Sequence, residues 1–155
     1  MMKTRITFQE INPILYESLA KMDQYAKSVL DPRLCELIKF RVSQINSCAY
    51  CLDMHHKEAI SLGEEELRLH TLPAWRECSH YSNSERAALE FAEAITEPSK
   101  YGLSDDTYLE LAKYFDKEMI MALTVVVLHI NSWNRINHVS RPLPGKYKVG
   151  QFNNK

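Results

Sequence analysis

Met119-Ile120-Met121-Ala122-Leu123-Thr124-Val125-Val126-Val127-Leu128-His129-Ile130, running on into Asn131-Ser132-Trp133-Asn134-Arg135-Ile136-Asn137-His138, is the most apolar segment of this 155-residue chain. Its β-branched run Thr124-Val125-Val126-Val127 suits a buried strand. The apolar spacing persists through Ile130, Trp133 and Ile136, however, well beyond the ~5–6 residues of an ordinary strand. The segment therefore reads as one long helix with Asp116 as its cap. Its first half is apolar nearly all round, which makes it the central helix of a core or part of a subunit interface. The most apolar portion, residues 119–130, includes Thr124 and His129 and is too short to span a bilayer, so no membrane segment is expected.

The flanking sequence is also punctuated as helices. Asn12-Pro13 pairs an N-cap with proline at the first helical position and opens a helix to about residue 29. Asp31-Pro32 repeats the signal, and Leu34, Leu37, Ile38 and Val42 give the second helix an apolar stripe that ends near Asn46-Ser47. With Ser47 as N-cap, a third helix begins at Cys48 and stops at Gly63, a favoured C′ residue. Glu64-Glu65-Glu66 places acids in the first turn of a short helix. Ser82-Asn83-Ser84-Glu85 is a capping box opening a helix to about residue 96, with Leu89, Phe91, Ala92 and Ile95 on its buried face. Gly102 and Ser104 introduce a further helix to about residue 114. From Pro142 onward the composition predicts an extended tail, residues 142–155. No repeat, linker or alternating strand pattern interrupts the chain. The expected fold is all-α, a single domain over residues 1–155.

The composition, 45% hydrophobic and 25% charged with 4 glycines and 6 prolines, is that of a globular chain rich in regular structure. A net charge of -1 provides no basic footprint for nucleic acid and no polybasic membrane anchor. The first ten residues carry positive charge with no apolar run behind them, so no signal peptide is expected and the cytoplasm is the expected location. In that compartment, two cysteines three apart point to catalysis or metal binding before a structural disulfide.

Asn46-Ser47-Cys48-Ala49-Tyr50-Cys51-Leu52-Asp53-Met54-His55-His56 concentrates two of the four cysteines and two of the six histidines. Cys48, Cys51 and His55 fall at i, i+3 and i+7, on one helical face. A thiolate attacks and a nearby second thiol resolves the adduct. His55, one turn from Cys51, is placed to take its proton, which argues for Cys51 as the base-assisted thiol and Cys48 as its exposed partner. The helix dipole instead favours Cys48 as the lower-pKa thiolate, and the two assignments stand side by side. If the second and third helices fold back as a hairpin, Glu36 lies ~15 Å before the turn and His55 ~12 Å after it. The two are then nearly level, and a carboxylate beside an imidazole fixes its tautomer and raises its basicity.

Glu36, the Cys48-Ala49-Tyr50-Cys51-Leu52-Asp53-Met54-His55 run and the flanking Val42–Ser47, Ala59–Gly63 and Ile130–Arg135 segments resemble the AhpD-like alkylhydroperoxidases of the carboxymuconolactone decarboxylase superfamily. The resemblance covers roughly residues 30–138. It implies an all-helical bundle assembled into homo-oligomers, trimers or hexamers. It further implies a peroxidase reducing an organic hydroperoxide or hydrogen peroxide, with Glu36 and His55 as proton relay, Cys51 as nucleophile and Cys48 as resolver. An external dithiol or thiol-disulfide reductant would restore the thiols, with no cofactor, metal ion or nucleic acid involved. Well-studied members of the family carry a histidine directly before the second cysteine, where this chain has Tyr50, and a phenol is a poor base near neutral pH.

Other readings compete residue by residue. Cys48, Cys51 and His55 or His56, completed by Cys78 or His129, offer a zinc set, but the second short-spaced ligand pair of a structural zinc site is missing. A non-enzymatic redox-sensing dithiol needs the same cysteines without turnover. A cofactor-free lactone decarboxylase, the other branch of the superfamily, does not use a CxxC pair. Tyr50, Met54 and His129 are candidate pocket residues, each equally explained by packing. His56 reads as a surface residue, Cys35 and Cys78 as small hydrophobes, and Trp133 as core or interface.

Overall fold

A computed structural model describes residues 3–152, and every regular element among them is helical. In order come α1 (Pro13–Val29), α2 (Pro32–Ile45), α3 (Ala49–Ser61), α4 (Glu66–Thr71), α5 (Asn83–Thr96), α6 (Asp105–Leu111) and α7 (Lys117–Ser140). Single 3-10 segments sit at Phe8–Glu10 and Leu72–Glu77. The all-α expectation holds, and the valine run lies within a helix, with Val126 and Val127 buried and Val125 partly buried against the core.

The caps read from the sequence close the helices they were assigned to. Asn12 accepts from the Ile14 amide at 2.9 Å, Asp31 from Arg33 at 2.7 Å and Asp116 from Met119 at 2.9 Å. At the start of α5 both arms of the capping box form: Ser82 accepts from the Glu85 amide at 3.2 Å, and Glu85 accepts from the Ser82 amide at 2.7 Å. Gly63, at φ 85°, ends the third helix.

α2 and α7 form the centre, packed on each other, with α1 lying on α7, α3 on α2, and α5 against both. Leu37, Ile38 and Val42 of α2, Leu89 of α5, and Leu123, Val126, Val127 and Ile130 of α7 are fully buried together. The 24 residues of α7 extend ~36 Å, enough by length and composition alone to cross a bilayer, as a buried central helix of this length also is. The polar-flanked ends lengthen it, and its buried side chains face α1, α2 and α5.

Two expectations fail at the ends of elements. Ser47 is not a cap: it adopts a left-handed φ of 53°, Cys48 becomes the N-cap residue, and α3 starts at Ala49. The left-handed residue lets the Cys48 amide reach back to the Ser43 carbonyl at 3.0 Å, so the two helices are joined by a tight reversal. The tail does not extend either. Residues 142–152 return across α3, while 153–155 lie outside the described residues.

Candidate active site

The reversal between α2 and α3 is pinned to α7. Asn46 donates to Asn131 at 3.0 Å and to Asn134 at 2.8 Å, and its carbonyl lies 2.7 Å from His138 Nε2. Asn134 in turn donates to Ser43 at 3.2 Å. This ladder of amides fixes the N-terminus of α3 against the middle of the bundle, where Cys48 and Cys51 are joined as a disulfide with Cα atoms 5.3 Å apart. Cys48 is 3% exposed and Cys51 2%, so Cys48 is not the exposed partner its position suggested; the reversal turns its side chain into the core. Cys51 occupies the third position of α3, still within the first turn, so the dipole argument applies to it as well. Asn137 of α7 donates from Nδ2 to Cys51 Sγ at 3.3 Å.

Behind the sulfurs lies a buried charge cluster. Glu36 Oε2 stands 2.7 Å from His55 Nδ1, as the hairpin geometry required, with the two residues 2% and 4% exposed. Glu36 Oε1 accepts from Lys39 Nζ at 2.9 Å, and Lys27 approaches to 3.6 Å. Lys39, 1% exposed, also bonds Asp23, which Lys27 pairs at 2.9 Å. Burial alone raises the pKa of Glu36, but the charge of Lys39 and the hydrogen-bonded His55 ring outweigh it and hold the carboxyl well below its usual range. Asp23, opposed by the same burial and held by Lys39 and Lys27, falls to about 2. For Lys39 burial works against the charge, and Glu36 and Asp23 reverse it, so its pKa is raised. Glu36 and Lys39 are therefore paired in the interior, with the half-buried Asp23 and the exposed Lys27 closing the cluster on its outer side.

Cys51, Glu36, Lys39 and His55 line a cavity of about 740 Å³, together with Met54, His129 and Asn137. Its walls are aromatic. Phe8 packs on Tyr50 at 5.6 Å between ring centroids and on Phe152 at 5.4 Å, Tyr16 meets Trp133 at 5.9 Å, and Tyr147 stacks on Phe152 at 5.8 Å. The returning tail forms this roof. Gly145 donates to Asp53 at 2.8 Å, Lys57 to the Tyr147 carbonyl at 3.0 Å, Gly150 to Glu58 at 3.1 Å, and the Tyr147 hydroxyl to Glu58.

The remaining candidates divide cleanly. Tyr50, Met54, His129 and Trp133 all line the cavity, whereas His56 bonds Glu66 at 2.9 Å and is not among its lining residues. Burial pushes the Tyr50 phenol up to about 12, with the Asp53 charge adding to it. His129 accepts from Trp133 Nε1 at 3.0 Å, and burial, then Lys39, lowers its pKa to about 3. It is a neutral histidine in an apolar helix. Cys35 is buried and its thiol pushed up to about 11 by burial, and Cys78 is half-buried; neither lines the cavity. Among the described residues, no three His, Cys, Asp or Glu side chains are grouped to hold a metal ion.

Lys39, Asp23, Asn137 and the tail aromatics were not singled out in the sequence. Lys39 left a readable trace, a lysine interrupting the apolar stripe of α2 one turn after Glu36. Asn137 left a weaker one, an amide one turn after Asn134 on the buried side of α7.

The sequence model of the carboxymuconolactone decarboxylase family matches residues 13–94, more than half of the chain and all of α1, α2 and α3. The chain belongs to that family. It is 41% identical over 137 residues to the uncharacterized protein YdfG of Bacillus subtilis (strain 168), covering 88% of this chain and 93% of YdfG. It superimposes with a TM-score of 0.87 and 36% identity on the crystal structure of ATU0492 from Agrobacterium tumefaciens, over 94% of this chain and all of the other. ATU0492 is described as a protein of unknown function and provisionally as the antioxidant defence protein AhpD. The debrominase Bmp8 shares the fold at a TM-score of 0.76 and 21% identity, over 87% of this chain and 73% of Bmp8. The AhpD-like architecture of this member of the carboxymuconolactone decarboxylase family is thus shared with proteins named for different chemistries.

Proposed function

We propose that the chain is a thiol-dependent peroxidase that reduces a hydroperoxide through a Cys48–Cys51 dithiol/disulfide cycle. The observation that carries this reading is the position of Cys51: it faces the cavity, shares a helix face with His55, and is already paired with Cys48. His55 takes the Cys51 proton. The Cys51 thiolate attacks the hydroxyl-bearing oxygen of the peroxide, an S–O bond forms as the O–O bond breaks, and the leaving alkoxide takes the proton from His55 to depart as alcohol. Cys48 then displaces the sulfenic hydroxyl as water and closes the disulfide. Two electrons from an external dithiol reopen it.

Glu36, ringed by Lys39, Lys27 and His55, stays ionised through this cycle. Its part is to hold His55 with Nδ1 protonated and Nε2 free to act, rather than to carry the proton itself. The aromatic walls favour an organic hydroperoxide over hydrogen peroxide, because an apolar substituent gains from leaving water there. Assembly into a trimer or hexamer and a cytoplasmic location, where dithiol reductants are available, belong to the same reading; the exposed Met121, Leu128 and Val139 on α7 offer apolar surface for assembly.

Turnover of cumene hydroperoxide with a dithiol reductant tests it. Activity is expected in the parent protein and is expected to vanish in Cys51→Ser; full activity in that variant would sink the proposal. A redox sensor would instead close the disulfide once without turnover. A lactone decarboxylase would keep its activity with both cysteines replaced.

A further inference from the structure

The amide of Asn137 touches the reacting sulfur and has one half left over. It is 7% exposed, lines the cavity, and donates from Nδ2 to Cys51 Sγ at 3.3 Å. A disulfide sulfur or a thiolate can only accept, so the NH₂ end must be the one that faces it. Asn137 Oδ1 is then an acceptor with no hydrogen-bond partner among the described residues, buried beside the same sulfur. Buried acceptors are almost always satisfied in native proteins, and an empty one at a reacting atom calls for an explanation.

We propose that Asn137 is a catalytic residue whose two ends do two jobs, its Nδ2 stabilising the Cys51 thiolate and its Oδ1 accepting a hydrogen bond from the hydroxyl of the bound hydroperoxide. The inference rests on the peroxidase reading for the second job and not for the first. Holding the peroxide O–H at Oδ1 puts the hydroxyl oxygen, the one that is transferred, next to Sγ. After the S–O bond forms and the alkoxide leaves, the same hydrogen remains on the sulfenic oxygen and the same acceptor still holds it. His55 returns its proton to the alkoxide, so Asn137 gains and loses none.

The charged groups around the sulfur leave room for such a contact to matter. His55 comes from α3, Glu36 and Lys39 from α2, Asp23 and Lys27 from α1 and His129 from α7, with Tyr50, Glu58 and Tyr147 around the cavity. Lys39 and Lys27 are offset by Glu36 and Asp23 at short range. Asn137 therefore adds to the sulfur a neutral donor that stays in place whether His55 holds the Cys51 proton or has passed it on.

The test uses the full chain, reduced, with Cys51 alkylated by iodoacetamide across a pH series and followed by peptide mass. Asn137→Leu is expected to move the half-point of Cys51 alkylation upward by about one pH unit, the worth of a hydrogen bond to a charged group. Above the new half-point alkylation should match the parent. Peroxide-driven oxidation of the same variant should stay at least tenfold slow there, although the thiolate is fully formed. An unmoved alkylation profile overturns the donor role. A peroxide rate that recovers in step with alkylation overturns the acceptor role. Asn137→Ala, read the same way, serves if the leucine variant does not fold. Should the parent prove inert to peroxide, the acceptor role falls with the peroxidase reading, while the alkylation profile still decides the donor role.

Discussion

Glu36 Oε2 and His55 Nδ1 face each other at 2.7 Å from adjacent helices, and the other Glu36 oxygen is held 2.9 Å from Lys39 Nζ. The carboxylate thus has one oxygen for the imidazole and one for the lysine. Positioning and charge balance are carried by the same group, and a change at Glu36 should register in both activity and stability.

Glu36→Gln keeps the shape and loses the charge. His55 loses the anion that fixes its tautomer, and Lys39 is left with Asp23 alone. Peroxide turnover is expected to fall roughly 10-fold to 100-fold, less than the ~10²–10⁴ range associated with losing a general base, since His55 itself remains. Breaking a buried pair from one side should also cost about 3 kcal/mol in urea unfolding. Loss of activity with unchanged stability would show that Lys39 does not depend on Glu36.

Tyr50 stands directly before the second cysteine, and it is held neutral by burial with its pKa raised to about 12. It packs on Phe8 through its ring, and its hydroxyl has no hydrogen-bond partner among the described residues. Tyr50→Phe should therefore leave the pH profile of turnover in place and the rate within about twofold, as expected of a wall rather than a proton carrier. A changed pH optimum would give the phenol a part in proton transfer.

Local signals were legible in the chain because they act within a turn of sequence: Asn12, Asp31, Ser82 and Asp116 cap the helices that follow them. Glu36 and His55 were legible for a related reason, since a helical hairpin has a fixed rise and its two arms can be counted from the turn. Ser47 misled because serine is a common cap, and nothing local announces the left-handed reversal that hands the cap to Cys48. Asn137 meets Cys51 across 86 positions, and the tail meets α3 across about 90, so both depend on how helices cross. Spacing along one helix carries no information about such crossings.

The tail roof makes its own prediction. Tyr147 is buried, its hydroxyl donates to Glu58, and its carbonyl accepts from Lys57. Tyr147→Ala removes the ring that stacks on Phe152 and loosens the roof over Cys51. Alkylation of reduced Cys51 by a bulky maleimide should accelerate several-fold, with a loss of about 3–5 kcal/mol if the ring is as well packed as a core aromatic. Equal alkylation rates in the two proteins would mean that reagents reach the sulfur by another route.

His129 sets where acid begins to destabilise the fold. Its pKa is lowered to about 3, first by burial and then by the nearby Lys39, against about 6.5 in an unfolded chain. Between those values the unfolded state binds the proton and the folded state does not, so stability must fall as pH drops through that window, by up to about 1.4 kcal/mol per pH unit. Glu36 and Asp23 act lower down. Their folded pKa values are depressed, so their contribution is complete above about 4 and is lost as pH falls further, through about 2 for Asp23. His129→Gln keeps an acceptor for the Trp133 indole but removes the titrating group. In that variant the urea midpoint should stay level from pH 7 to about 4.5 and then drop, whereas the parent should decline throughout. The same slope in both proteins over that range would show that His129 is protonated in the folded state.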